Sequence, residues 1–191
     1  WKVEAQGKTV LDAGSSTGGF TDCLLQRGAA RVHAVDVGRG QLHPALKKDP
    51  RVTPREKTNI MSLASLDPAP AFAVCDLSFR SLRGAASHIT GLTSEGRLIA
   101  LVKPQFEWQA PGADFRGVVR GAESLRRILA GLLAGLEAEG LTVHDIIKSP
   151  LTGRAGNREF FFDLRTTPCA SQTPEESFQR CLQEKIELLT G

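Results

Sequence analysis

Two short apolar runs that end in acids carry the first chemical signal in this chain. The stretch VLDAGSSTGGFT, Val10 to Thr21, reads as a buried strand, a tight glycine turn and the start of a helix. Asp12 closes the strand. Gly14, Gly18 and Gly19 fall in the turn, where a Cβ would keep backbone away from a close ligand. The second run, VHAVD, ends on Asp36. Three more polar residues stand at predicted strand ends: Asp76 in VCDLSF, Lys103 in LVKPQFE and Glu159 in GNREFFF. Open α/β sheets bind ligands at such ends.

The turn spacing is G-x-x-x-G-G rather than the G-x-G-x-x-G of dinucleotide sites. A pyrophosphate on the helix N-terminus would also meet Asp12, and an acid repels a phosphate but attracts a cation. The ligand that fits is a nucleoside with a positive group and no phosphate, which describes S-adenosyl-L-methionine. A nicotinamide oxidoreductase is disfavoured on the same two grounds. A glycine turn with no ligand is the plain structural alternative.

Asp76, Lys103 and Glu159 each have an ordinary structural use. Asp76 can cap the next helix, Lys103 can be a solvated strand end, and Glu159 can pair with Arg154 or Arg158. Together they predict a partly dry lysine between two carboxylates, held against a substrate hydroxyl. A ribose 2′-OH is a poor nucleophile while protonated. A nearby ammonium favours its ionised form, or the neutral amine takes its proton. Methyl transfer from a sulfonium needs in-line placement above all.

The elements that must position these residues alternate between apolar runs and helical patterns, which predicts parallel βαβ units. Strands are expected at about 9–13, 31–36, 51–54, 71–76 and 97–103, with Pro54 marking an edge. Helices are expected at about 20–27, 44–48 and 81–92, and an amphipathic one at 122–139, stopped by Gly140. Phe106 to Gly117 reads as a loop. The last two strands, 143–148 and 159–165, have only SPLTGRAGN between them and should pair antiparallel. The expected fold class is α/β: a Rossmann-like sheet, mostly parallel with a terminal antiparallel hairpin. Residues 1–166 form the expected catalytic domain, and 167–191 a helical extension that packs or associates.

A chain of 191 residues suffices for one α/β domain. Lys plus Arg is 24 against 21 for Asp plus Glu, so a net charge of +3 does not by itself argue for nucleic acid. Lys103, Arg116 and Arg120 near Phe106 and Trp108 could still form a local cationic rim with stacking rings for an unpaired nucleotide. The competing reading has the two rings packing their own loop. Cys23, Cys75, Cys169 and Cys181 form no C-x-x-C pair and have no histidine at zinc spacing. Reduced thiols in a cytoplasmic protein, and no metal, are expected. No apolar run approaches the roughly 20 residues of a membrane span, and no signal peptide is visible.

The segments VLDAGSSTGGFTD, AVDVGRGQL, REKTNI, DLSF, LVKPQFE, GVVRG and GNREFFF resemble the hemolysin A (TlyA) family of FtsJ-like rRNA 2′-O-methyltransferases. The resemblance covers about residues 5–166. It implies S-adenosyl-L-methionine as cofactor and rRNA or ribosomal subunits as partners. It implies a Lys-Asp-Lys-Glu tetrad, of which Asp76, Lys103 and Glu159 are the last three. Around the cofactor it implies Asp12, Gly14, Ser15, Gly18, Gly19 and Phe20, then Asp36 for the ribose hydroxyls with Val37 beside it. Asn59 and Ile60 fall in the adenine region, with Asp76 close by. The family's first lysine lies in an S-R-G-G-x-K-L segment, and neither Lys2 nor Lys8 holds that position. That lysine and an S4-like RNA-binding module are expected to precede Trp1, and the chain alone is expected to be nearly inactive.

Two other function classes are separable. A cofactor-binding fold without catalysis would serve as an RNA-binding or assembly module. Membrane lysis, which the family's historical name suggests, finds no helix designed for a membrane surface; the 122–139 pattern is better explained as sheet cover.

Overall fold

The computed structural model describes residues 3–78, 81–109, 111, 115–153, 155–166 and 175–191, with side chains in the last helix described from Leu182 onward. The expectations placed on Lys2, Arg154 and Cys169, and on the Cys181 side chain, lie outside the described residues.

The chain divides into two compact units, Trp1–Leu77 with His88–Ile99, and Ser78–Ser87 with Ala100–Gly191. The first unit is built on β1 (Thr9–Ala13), whose side chains from Val10 onward are buried. Strand β1 pairs in parallel with β2 (Arg31–Val35) on one side and with β4 (Phe72–Cys75) on the other. A parallel strand covered on both faces needs a near-continuous apolar run, and VLDA supplies one with a single polar exception, Asp12. Strand β3 (Val52–Arg55) pairs only with β2 among the described strands, in parallel, and sets Pro54 opposite Ala34. A proline that cannot donate is tolerated there because β3 is an edge. Helices α1 (Gly19–Gln26) and α2 (Pro44–Lys48) and a 3-10 turn at Ile60–Ser62 complete the loops, and α3 (Ala85–Gly91) follows β4.

Strand β5 (Arg97–Val102) runs through both units, and the seven strands hydrogen-bond in the order β3-β2-β1-β4-β5-β7-β6. In the second unit β6 (Thr142–Thr152) and β7 (Arg158–Arg165) form the expected antiparallel pair, with irregularities at Val143/Asp145 and Lys148/Thr152. These let β6 run past Lys148, where the sequence pattern stops. Helix α5 (Ala122–Ala138) buries Leu125, Ile128, Leu129, Leu132, Leu133 and Leu136 at helical spacing. It ends as a glycine-terminated helix should. Gly140 takes φ +78°, and the amides of Gly140 and Leu141 return to the carbonyls of Glu137 and Leu136.

Two helices differ from the sequence reading. Residues 104–107 form a short helix, α4 (Pro104–Glu107), where a loop is expected. Pro104 occupies its first turn, a position that proline favours, so the residue that reads as a strand breaker also starts a helix. Helix α3 begins at Ala85 rather than Ser81, after a turn in which Gly84 takes φ +71°. The last helix, α6 (Glu175–Thr190), groups with the second unit. It buries Leu182, Ile186 and Thr190, and Lys185 pairs with Asp145 of β6.

Candidate active site

In the first unit the glycine turn is tied down by its own amides. Gly14 and Ser15 both donate to the Val35 carbonyl at the end of β2, at 2.8 and 3.1 Å. The Gly18 amide donates to the Ser15 carbonyl (2.8 Å), and the Ser16 amide to Asp36 Oδ2 (2.8 Å). These four donors are committed inside the protein, so the turn does not hold them out as a nest for phosphate.

The glycines earn their places in different ways. A Cβ on Gly14 (φ +82°) would run into the Asp76 carbonyl, and one on Gly18 (φ +103°) into the side chains of Leu42 and Leu46. Both positions favour glycine within the protein itself, beside the cofactor role that the sequence reading gives them. Only Gly19, of the three, has open space where its Cβ would be. Phe20 follows it as the second residue of α1.

Asp36 joins two loops. Its Oδ2 holds Ser16, its Oδ1 accepts from the Gly38 amide at 2.6 Å, and its carbonyl accepts from Thr58 at 2.9 Å. A carboxylate has about four acceptor positions, so further donors such as ribose hydroxyls can be taken. Beside it Val37 is 72% exposed, an isolated apolar side chain against which a flat base could rest. Asn59 caps the 3-10 turn through Oδ1 to the Met61 amide, and Ile60 is buried with its carbonyl accepting from His88 Nε2 (3.0 Å). The loop bond from Thr58 to Asp36 ties these residues to the acid.

Asp12 is fully buried. Its Oδ2 accepts from Thr21 Oγ1 at 2.6 Å, and its Oδ1 is buried with no hydrogen-bond partner. Burial drives its pKa up to about 7. The Thr21 bonds oppose this, and the charges of Asp76 and Asp36 add to it. Asp76 follows β4, its amide donating to the Ala13 carbonyl at 3.0 Å, so its backbone lies against the glycine turn.

In the second unit Lys103 and Glu159 line one cavity of about 380 Å³. Lys103 is the residue before α4, and its Nζ donates to Ser78 Oγ at 3.3 Å. Glu159 lies on β7, and its Oε1 passes so close to Gly153 that a Cβ there would stand 2.6 Å away. Phe106 and Phe115 add two rings to the lining. Trp108 instead packs edge-on against Phe115, centroids 5.0 Å apart, and lines a different cavity. The expected rim of Phe106 with Trp108 is therefore divided between two cavities. Arg116 and Arg120 are exposed.

Asn157 is the residue that sequence reasoning misses. It is 2% exposed, its Oδ1 accepts from the Val119 amide (2.9 Å), and its Nδ2 donates to the Gly117 carbonyl (2.8 Å). Its own carbonyl takes the Gly153 amide. One side chain thereby fastens the GVVR segment to the turn that presents Glu159. Asparagine beside glycine in a loop reads only as a turn former, so long-range bonds of this kind leave no local signal.

A model of FtsJ-like methyltransferases matches residues 1–166. The chain belongs to this family. Among relatives of this methyltransferase, the Mycobacterium tuberculosis protein named 16S/23S rRNA (cytidine-2′-O)-methyltransferase TlyA is 40% identical over 167 residues, 86% of this chain and 62% of that one. Hemolysin A of Brachyspira hyodysenteriae is 35% identical over 162 residues, 83% of this chain and 68% of that one. A solved structure of a hemolysin-named protein from Lactococcus lactis superposes with a TM-score of 0.81 at 34% identity, over 96% of this chain and 89% of that chain. The FtsJ-like chain thus spans about two thirds of the length of the curated relatives. No described helix is long and apolar enough to cross a membrane, and the described residues hold no cluster of three metal-binding side chains.

Proposed function

We propose that this chain methylates a ribose 2′-hydroxyl of rRNA with S-adenosylmethionine as donor. The observation that carries the reading is the pairing of Lys103 and Glu159 in one cavity of the second unit, in a family whose members include named rRNA 2′-O-methyltransferases.

The first unit suits the cofactor. A buried, unpartnered carboxylate oxygen on Asp12, the spare acceptor capacity of Asp36, the bare Val37 and the open space at Gly19 suit a cationic nucleoside without phosphate. Asp36 would hold the ribose, Val37, Asn59 and Ile60 the adenine, and Ser15, Gly19 and Phe20 would line the approach. When bound, the cofactor supplies an electrophilic methyl on a sulfonium.

The second unit supplies the proton chemistry. Lys103 takes the proton of the attacking hydroxyl, or stabilises the alkoxide as a cation. Glu159 sets the charge around Lys103, Ser78 orients Nζ through its hydroxyl, and Asp76 is assigned the second carboxylate role from the family pattern. Phe106 and Phe115 offer stacking surfaces for the base of the reacting nucleotide.

The test is methyl transfer to ribosomal subunits by a form that contains this chain. Lys103→Ala should abolish transfer and leave S-adenosylmethionine binding within about twofold. Lys103→Arg should fail as well, since a guanidinium does not give up its proton. Robust turnover by Lys103→Ala would remove the lysine from the mechanism.

A further inference from the structure

Helix α4 separates two cavities of the second unit. Gln105 and Phe106 line the one that holds Lys103 and Glu159, and Glu107, Trp108 and Gln109 line the other. This second cavity, about 360 Å³, takes its remaining walls from Arg83, Arg127, Ile128 and Gly131. Its chemistry is unlike that of a structural void. Two guanidiniums and an indole meet there, and Arg83 Nη1 is buried without a hydrogen-bond partner. A buried, unsatisfied cationic donor costs free energy unless something accepts from it.

The fold goes out of its way to keep Arg83 in place. Its guanidinium lies along α5 in a groove made by two glycines. A Cβ on Gly135 would collide with Arg83 Nε, and one on Gly131 would come to 3.5 Å of Nη2. Of the neighbouring carboxylates, Glu107 is engaged by backbone and hydroxyl donors and feels the Arg83 charge, while Glu139 is engaged through Oε1 alone, its Oε2 being buried without a hydrogen-bond partner. Glu107 accepts from Ser81 Oγ (2.6 Å) and the Leu82 amide (2.7 Å), and Glu139 Oε1 accepts from the Gly84 amide (2.8 Å). Neither shows a hydrogen bond to Arg83 Nη1. Across the cavity Arg127 is exposed and Trp108 half-buried. An anion beside a flat ring matches this set, and one nucleotide of a single strand carries both.

We infer that the Arg83–Arg127–Trp108 cavity receives a second nucleotide of the substrate RNA, its phosphate on the two arginines and its base against the indole. The inference rests on the rRNA reading above. Residues of one four-residue helix line both cavities, so the two sites are neighbours. The site would then read the strand beside the reacting ribose and fix which hydroxyl reaches Lys103.

The two tryptophans are Trp1 and Trp108, so Trp1→Phe leaves Trp108 as the only indole. In that background the 191-residue chain is titrated with a short single-stranded RNA while Trp108 fluorescence is followed. Quenching is expected. Arg127→Gln and Gly131→Glu, both at exposed positions, should weaken RNA binding by about fivefold or more and leave S-adenosylmethionine affinity unchanged. RNA binding seen by anisotropy, with no change at Trp108 and no effect of either variant, would overturn the inference and leave the rRNA reading standing. Equal quenching by inorganic phosphate, with RNA no tighter, would overturn it too, as an anion site without a nucleotide. Quenching by RNA, together with failure of a longer form that contains this chain to methylate ribosomal subunits, would count against the rRNA reading instead.

Discussion

Asp12 is a carboxylate that the first unit holds near neutrality in the absence of a cation. Its pKa of about 7 follows from burial, so protonation and cation binding compete for one group. Above an unfolded value near 3.9 the folded state keeps a proton that the unfolded state has lost. The group therefore subtracts stability progressively as pH rises from about 4 to 7. A ligand cation close to Asp12 would reverse part of that. Affinity for S-adenosylmethionine should then rise as pH climbs through 7 in the wild type and stay flat in Asp12→Asn. Titration with S-adenosylhomocysteine identifies the cation: no slope points to the sulfonium, and an equal slope to the amino group. A flat wild-type profile removes Asp12 from the cofactor site. Asp36 makes a simpler case. Charge-assisted bonds to ribose hydroxyls contribute about 1.5–3 kcal/mol, so Asp36→Ala should cost tenfold or more in cofactor affinity by calorimetry. Because Asp36 also bonds Ser16 and Gly38, the circular dichroism of the variant must match wild type for that loss to be read as binding.

At the scale of elements, Asn157 is the most economical device in the second unit. Its side chain makes two bonds that bridge residues 117–119 and the turn before β7. Asn157→Ala should destabilise the protein by about 1–3 kcal/mol in urea unfolding and slow methyl transfer, while cofactor affinity holds. Undiminished transfer would mean that the turn is positioned by other contacts. Elements set by strong local patterns were legible in the sequence. The core run of β1, the leucine stripe of α5 and the hairpin of β6 and β7 all follow from periodicity and turn residues. What escaped was decided by distant partners or by residues with two meanings. Pro104 is both a strand stop and a helix start. Gly18 takes φ +103°, which favours glycine, and Leu42 and Leu46 fill the space beside it, neighbours that no local pattern contains. Glu107, which reads as a loop acid, is buried beneath the turn into α3, its pKa raised chiefly by that burial. Among the strand-end residues, Lys103 and Glu159 do line one cavity, as their positions after β5 and on β7 allow.

Across the whole molecule, the residues assigned to cofactor and acceptor sort by unit, apart from Asp76. The proposed cofactor positions lie in the first unit and Lys103, Glu159 and the two cavities in the second. Variants should separate accordingly into those that change cofactor affinity and those that change transfer. The net charge of +3 is too small to hold RNA by long-range attraction. Binding by this chain should therefore be weak and steeply salt-dependent, with a log–log slope near −0.7 for each phosphate contacted. Tight binding at physiological salt would mean a larger local field than the sequence charge suggests. The far end of the chain has a bearing on control. Arg158 Nη1 donates to the Thr190 carbonyl at 2.8 Å, so the last turn of α6 is clasped by the residue next to Glu159. Successive side chains of a strand project to opposite faces, which puts the clasp on the reverse side from the carboxylate. The seating of α6 therefore bears on the start of β7 from the face opposite Glu159.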